Sequence, residues 1–207
     1  MKILIFSAHP DDEVIGLGGT IAKLKDRNNY IEVVSLTKGE KSRGNFKDEQ
    51  EAAIIRVKEL EESTRILGVD KLDIWDLKDT KIKLEDTYRL ARDKIVELKP
   101  YRVYIPPIDD RHQDHVIAGR AIIMACEQKN INEIIAYESI RKADKPNLYE
   151  DISDYLKIKM KALCAHKSQI KKKAFSPEII RSKALVRGQE IDVEAAEGFN
   201  IIKYINN

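Results

Sequence analysis

Two short stretches of this sequence gather side chains that could hold a cation and move protons. His9-Pro10-Asp11-Asp12-Glu13 places one imidazole and three carboxylates side by side, and Asp109-Asp110-Arg111-His112-Gln113-Asp114-His115 adds two imidazoles and three carboxylates. Three of the chain's four histidines fall in these stretches, a placement that chance explains poorly. Carboxylate and imidazole donors attract a cation. A His/Asp/His set with an open position is how catalytic zinc is commonly held. A nucleotide-binding turn competes for the first stretch, because Gly16, Gly18 and Gly19 follow it. Those glycines lack Gly-x-Gly-x-x-Gly spacing and come after a helix should have begun. Three acidic side chains there would also repel a pyrophosphate. An acidic helix N-terminus favoured by the helix dipole accounts for Asp12 and Glu13 but gives His9 no role.

Both stretches begin where a strand should end. Lys2–Ser7 is an apolar run suited to a buried parallel strand and leads into His9. A strand at Arg102–Ile105 is closed by Pro106 and Pro107, just before Asp109. Further strands are expected at Tyr30–Thr37, 71–75 and 133–139. Helices are expected over 13–27, 48–67, 85–98, 116–129, 151–172 and 177–196, with Gly68 and Pro100 as stop signals. Alternating strands and helices predict an α/β fold: a Rossmann-like, doubly wound, mainly parallel sheet of order 3-2-1-4-5 with helices on both faces. One domain is expected over 1–207. In that order the first and fourth strands are neighbours at the switch point, so both polar stretches should face one crevice beyond the carboxyl ends of the strands.

Composition narrows the function classes. A net charge of +2 gives no basic field for nucleic acid. Hydrophobic residues at 43% and charged residues at 35% describe a soluble globular chain rather than a disordered one. Cys126 and Cys164 are isolated from each other, which argues against a disulfide framework or a cysteine zinc site and leaves both as helix-packing residues. No window approaches the roughly 20 apolar residues of a membrane span, and no charged leader with an apolar run opens the chain. A cytoplasmic protein is expected.

The two motifs together resemble those of the LmbE-like, or PIG-L, de-N-acetylases, in His9-Pro10-Asp11-Asp12-Glu13 and His112-Gln113-Asp114-His115. The likeness extends through Arg56-x-x-Glu59 with Leu67-Gly68-Val69, through Lys145-Pro146-Asn147, Asp151-Ile152-Ser153, Lys161-Ala162 and His166-Lys167-Ser168-Gln169, to Ala196-Glu197-Gly198-Phe199. It is strongest to the bacillithiol-pathway deacetylases. The resemblance implies a metal-dependent hydrolase that removes the acetyl group from an N-acetylglucosamine-containing small molecule. It implies a zinc ion, or another divalent metal, on His9, Asp12 and His115, with Asp11 as general base and His112 stabilising the tetrahedral intermediate. It further implies Arg56 in the substrate pocket, Asp114 orienting a neighbouring histidine, and a homo-oligomer, trimer or hexamer. One departure stands out. Relatives often carry a tyrosine directly before the Ala-Glu-Gly-Phe segment, where this chain has Ala195. Segments 38–47 and 140–150 are expected to shape specificity, and His166 to approach the site or to pack or cap a helix. The rival readings are an amidase acting on a larger amide conjugate and a non-catalytic nucleotide- or sugar-binding module.

Overall fold

A computed structural model gives the fold for residues 1–42, 46–129, 131–140 and 145–205. Its strands are β1 (Lys2–Ser7), β2 (Tyr30–Thr37), β3 (Lys71–Leu77), β4 (Arg102–Ile105), β5 (Glu133–Tyr137), β6 (Leu148–Asp151) and β7 (Ala196–Tyr204). Its helices are α1 (Asp12–Asp26), α2 (Glu49–Leu67), α3 (Leu84–Leu98), α4 (Gln113–Glu127), α5 (Leu156–Leu163), α6 (Lys167–Lys171) and α7 (Pro177–Gln189). The strands form one sheet of order β3-β2-β1-β4-β5-β7-β6. The expected 3-2-1-4-5 order is present and parallel throughout. β7 and β6 extend it as antiparallel strands.

The side-chain alternation of β1 shows how the sheet is covered. Ile3 and Ile5 point into a core shared with α1, α2, α5 and α7, whereas Leu4 and Phe6 point into the core under α3 and α4. All four are fully buried. Buried side chains of this size contribute roughly 1.5–3 kcal/mol each. Both faces are therefore dry, which explains why β1 reads as a continuous apolar run. α2 starts at Asp48, whose side chain accepts from Glu51 N, and ends at Gly68 with φ 77°.

Three expectations are corrected. The single helix expected at 151–172 is β6, a 3-10 turn at Ser153–Tyr155, then α5 and α6. Its apolar spacing runs on through the breaks, and no glycine or proline marks them. The break before α6 is fixed from outside, where Glu59 of α2 accepts from Ser168 N and Oγ, each at 2.7 Å. The helix expected at 177–196 stops at Gln189, and the chain folds back over Gly188. A Cβ there would lie 2.7 Å from the Ala195 backbone, so only glycine permits the reversal that starts β7. Of the two cysteines, Cys126 packs as expected, but Cys164 is exposed at the end of α5.

α1 is kinked at Leu17, whose φ of −147° interrupts the helix. The kink frees backbone groups that a straight helix would pair, and a buried ion pair takes them up. Glu197 of β7 accepts from Gly19 N at 2.9 Å and Thr20 N at 2.7 Å. Lys159 of α5 donates to Glu197 at 2.6 Å and to Ile15 O at 2.8 Å. Removing one member leaves an uncompensated buried charge. Lys159→Met is expected to destabilise the protein by about 3–5 kcal/mol in equilibrium denaturation. The double variant Lys159→Met/Glu197→Gln should lose clearly less than the sum of the single changes. Additive losses would show that the two side chains do not act as a pair.

Candidate active site

The ends of β1 and β4 meet at the switch point of the sheet. There Asp11 departs from ordinary backbone geometry, with φ 131°, a region that favours glycine. Its surroundings over-determine it. Ile15 N donates to Asp11 O at 3.0 Å, and Glu13 Oε2 accepts from Asp11 N at 3.2 Å. Arg56 Nη2 donates to Pro10 O at 2.6 Å and to Asp11 Oδ2 at 3.0 Å, while Nη1 reaches Gly39 O at 3.2 Å. Gly39 has φ 65°, and a Cβ on it would strike the Arg56 guanidinium at 2.0 Å. Arg56 lines the cavity. Most of its donors, however, are spent on holding Asp11 and the two loops.

Three imidazoles gather beside Asp11, with His9 and His112 ring centroids 4.6 Å apart and His112 and His115 5.0 Å apart. Asp12 lies between two of them: Oδ2 is 3.4 Å from His9 Nδ1, and Oδ1 is 3.3 Å from His115 Nε2. The opposite nitrogens are held by other carboxylates. His9 Nε2 lies 3.2 Å from Asp114 and 3.3 Å from Asp79, and His115 Nδ1 lies 3.1 Å from Asp110. Metal-binding histidines are oriented in this way, with a carboxylate fixing the far nitrogen. The expected helix start at 116 is corrected to Gln113, because His112 caps the helix with its own ring: Asp114 N donates to His112 Nδ1 at 3.3 Å. His115 and Asp12 consequently sit in the first turns of α4 and α1 rather than in loops.

Charge follows this geometry. Burial acts to lower the pKa of His9, but hydrogen bonds with Asp114, Asp12 and Asp79 outweigh it and raise the value well above that of a free imidazole. Burial likewise opposes a rise at His115, where the Asp12 charge and the Asp110 hydrogen bond prevail and push it up to about 9. His112 goes the other way, lowered by burial and by the two neighbouring rings. It is therefore neutral near pH 7. Since its Nδ1 accepts from a backbone N–H, its proton sits on Nε2, which becomes a donor. Burial raises Asp11 to about 6, against the pull of Arg56. Glu13, fully buried, is pushed up to about 8 by burial and by Asp11.

Two donor groups among the described residues could hold a metal ion: His9 with His112 and His115, and His9 with Asp79 and Asp114. The second has Asp114 at its back, fully buried and away from the cavity. Asp12 and His115 open onto a cavity of about 680 Å³, which also exposes Asp11, Arg56 and His112. Asp12 belongs to neither group, but its two oxygens face His9 Nδ1 and His115 Nε2, and imidazole and carboxylate donors of this kind suit a divalent metal.

Several further residues meet at the site, and two of them, Asp79 and Lys172, carry no signal that marks them in the sequence. Asp79 follows β3, a third strand end, and also accepts from Lys41 N at 3.1 Å. Asp110 stands inside the second motif, and its Oδ1 additionally accepts from His112 N at 2.8 Å. Gln169 and Lys172 reach the rim from α6 and its end. Glu13 supports the Asp11 backbone, so it is more than a helix-start carboxylate. His166 is fully buried with Nε2 3.9 Å from Glu13 Oε1, and burial lowers its pKa to about 3. It starts α6 without a side-chain cap bond. Ala195 packs with Ile152, Leu156 and Ala184 and does not line the cavity, and among the described residues no tyrosine does. Of the two specificity segments, Lys41, Ser42 and Ile140 line it, with Ser139 just ahead of the second, while 43–45 and 141–144 lie outside the described residues.

Residues 4–126 match the family model described as PIG-L, GlcNAc-PI de-N-acetylase. A diacetylchitobiose deacetylase of Thermococcus kodakarensis is 32% identical, over 97% of this chain and 83% of its own length. A Bacillus cereus protein named "Probable N-acetyl-alpha-D-glucosaminyl L-malate deacetylase 2" is 30% identical, over 81% of this chain and 83% of its own. The solved structure of N,N'-diacetylchitobiose deacetylase from Pyrococcus horikoshii, complexed with its inhibitor MPG, superposes with a TM-score of 0.80 at 31% identity, covering 97% of this chain and 83% of that one. No helix among the described residues is long and apolar enough to cross a membrane.

The guanidinium of Arg56 gives a direct test of its structural part. Arg56→Met leaves Pro10 O and Gly39 O without their donor and Asp11 without its cation. Equilibrium unfolding should show a loss of about 2–4 kcal/mol. Unchanged stability would make Arg56 a ligand contact alone.

Proposed function

The chain belongs to the PIG-L family of de-N-acetylases, and from that premise we propose that it hydrolyses the acetamide of an N-acetylglucosamine-containing small molecule, with zinc held by His9, Asp12 and His115. One observation carries the ligand assignment: His9 Nδ1 and His115 Nε2 both face Asp12, while their far nitrogens are each held by a carboxylate. A bound zinc ion would supply two things an acetamide needs, a water of lowered pKa and a polarised carbonyl.

The chain's own residues would do the rest. Asp11 takes the proton of the attacking water and returns it to the leaving amine, giving acetate and the free amino sugar. Arg56 and Glu13 hold Asp11 in place through its carboxylate and its backbone N–H. His112 donates from Nε2 to the oxyanion that forms on the carbonyl carbon, and its backbone-bonded Nδ1 fixes the ring beforehand. Asp114, with Oδ2 also accepting from Thr80 N at 2.7 Å, orients His9. The same reading makes the chain a cytoplasmic single-domain enzyme that assembles as a trimer or hexamer, which light scattering would measure.

Asp11→Asn is expected to keep stoichiometric zinc and to lose roughly 10²–10⁴-fold in kcat for acetate release from N-acetylglucosaminides. His115→Ala should lose the zinc itself, and a chelator should silence the wild type until zinc is restored. Full zinc in His115→Ala by elemental analysis would refute the ligand set. Unchanged zinc in Asp12→Asn with loss in Asp79→Asn would move the metal to the other face of His9.

A further inference from the structure

Deep in the cavity Arg56 is paired with Asp11, and His9 and His115 lie among the carboxylates of Asp12, Asp79, Asp110 and Asp114. At the rim, Lys41 pairs with Glu49. Lys172 is different. It is half-buried and lines the cavity, and its ammonium donates to Ser42 Oγ, which also meets the side-chain amide of Gln169 at 3.2 Å. Among the described residues no carboxylate lies within ion-pair distance of it. Burial and the neighbouring Arg56 lower its pKa, and the more distant charges of Asp11 and Asp79, which act to raise it, do not make up the difference.

The fold goes to some length to put it there. Glu59, one helical turn beyond Arg56 on α2, captures Ser168 N and Oγ and so anchors α6. Lys172 is the C-cap residue of that five-residue helix. A cation is welcome at a helix C-terminus, but Lys171 already supplies one in the last turn. The bond that Lys172 makes is to Ser42, across the cavity mouth from α6. Arg111, exposed, lines the same mouth and adds positive potential. Holding an ammonium half out of water beside a guanidinium is unfavourable unless an anion completes it.

We propose that Lys172, with Ser42 and Gln169, is the specificity determinant for an anionic group, a carboxylate or a phosphate, on the part of the substrate beyond the acetamido sugar. The assignment rests on the deacetylase reading only for which end of the ligand lies at the His/Asp cluster.

The test uses three sugars that carry no acetamide, so binding is read without turnover: methyl glucoside, carboxymethyl glucoside and glucose 1-phosphate, titrated calorimetrically into the zinc-loaded protein. The wild type should bind at least one of the two anions about tenfold or more tighter than the neutral sugar, and whichever anion gains more identifies the group as carboxylate or phosphate. Lys172→Gln should abolish that gain and leave methyl glucoside within about twofold, and Lys172→Arg should restore most of it. Equal affinity for all three sugars in the wild type overturns the proposal. So does anion preference that survives Lys172→Gln, because the anion is then on the metal or on Arg111. Charge preference without acetate release from any N-acetylglucosaminide would sink the deacetylase reading and keep this one, and acetate release without charge preference would do the reverse.

Discussion

Asp12 faces two imidazoles that arrive from different halves of the chain, His9 beside it at the end of β1 and His115 from α4 beyond β4. Everything else at the site follows from keeping that cluster of buried charge in balance. Two partners at 3.3–3.4 Å account for a carboxyl group whose pKa falls well below the ordinary range although burial acts to raise it. The same balance extends outward through Asp79, Asp114 and Asp110, each of which also accepts a backbone N–H. The cluster is thereby tied to the loops after β3 and β4, and removing one charge would unsettle groups on several strand ends at once. The parallel sheet makes this possible, since its switch point is where the two loops part around a crevice rather than pack on each other.

α2 is the strut that converts this balance into a cavity with two ends. Arg56 faces inward and holds Asp11, and Glu59, three residues on, faces α6. Residues three and four apart lie on one side of a helix. A single helical face therefore sets both the angle of the base and the position of the rim. The strained φ of Asp11 fits this picture, because a residue in that region persists only where its neighbours impose it.

Much of this was legible in the sequence, for identifiable reasons. β1 to β5 are apolar runs bounded by polar segments, and their alternation with helices is enough to predict strand order. β6 and β7 carry weaker signals because Leu148–Asp151 is short and polar, and because nothing in 188–196 announces a reversal except Gly188, whose need for close approach appears only once Ala195 is beside it. The motif histidines and aspartates declared themselves by crowding. Asp79 did not, being one acidic residue after a strand among many. Lys172 sits in a run of three lysines that reads as solvated surface. Arg56 stands in a family-like motif, but its side-chain partners include Gly39 and Pro10, which no periodicity connects to it.

The ion pair that mends the kink in α1 spans almost the whole chain, since Glu197 serves backbone groups 177 and 178 residues earlier. The helix that presents Asp12 is thus completed by the last strand. During synthesis the residues of both motifs leave the ribosome long before Glu197 does, and until it arrives the first helix carries open backbone donors at Gly19 and Thr20. A nascent chain can gather its histidines early, but it acquires a finished scaffold for them only once Glu197 has emerged and β7 has joined the sheet.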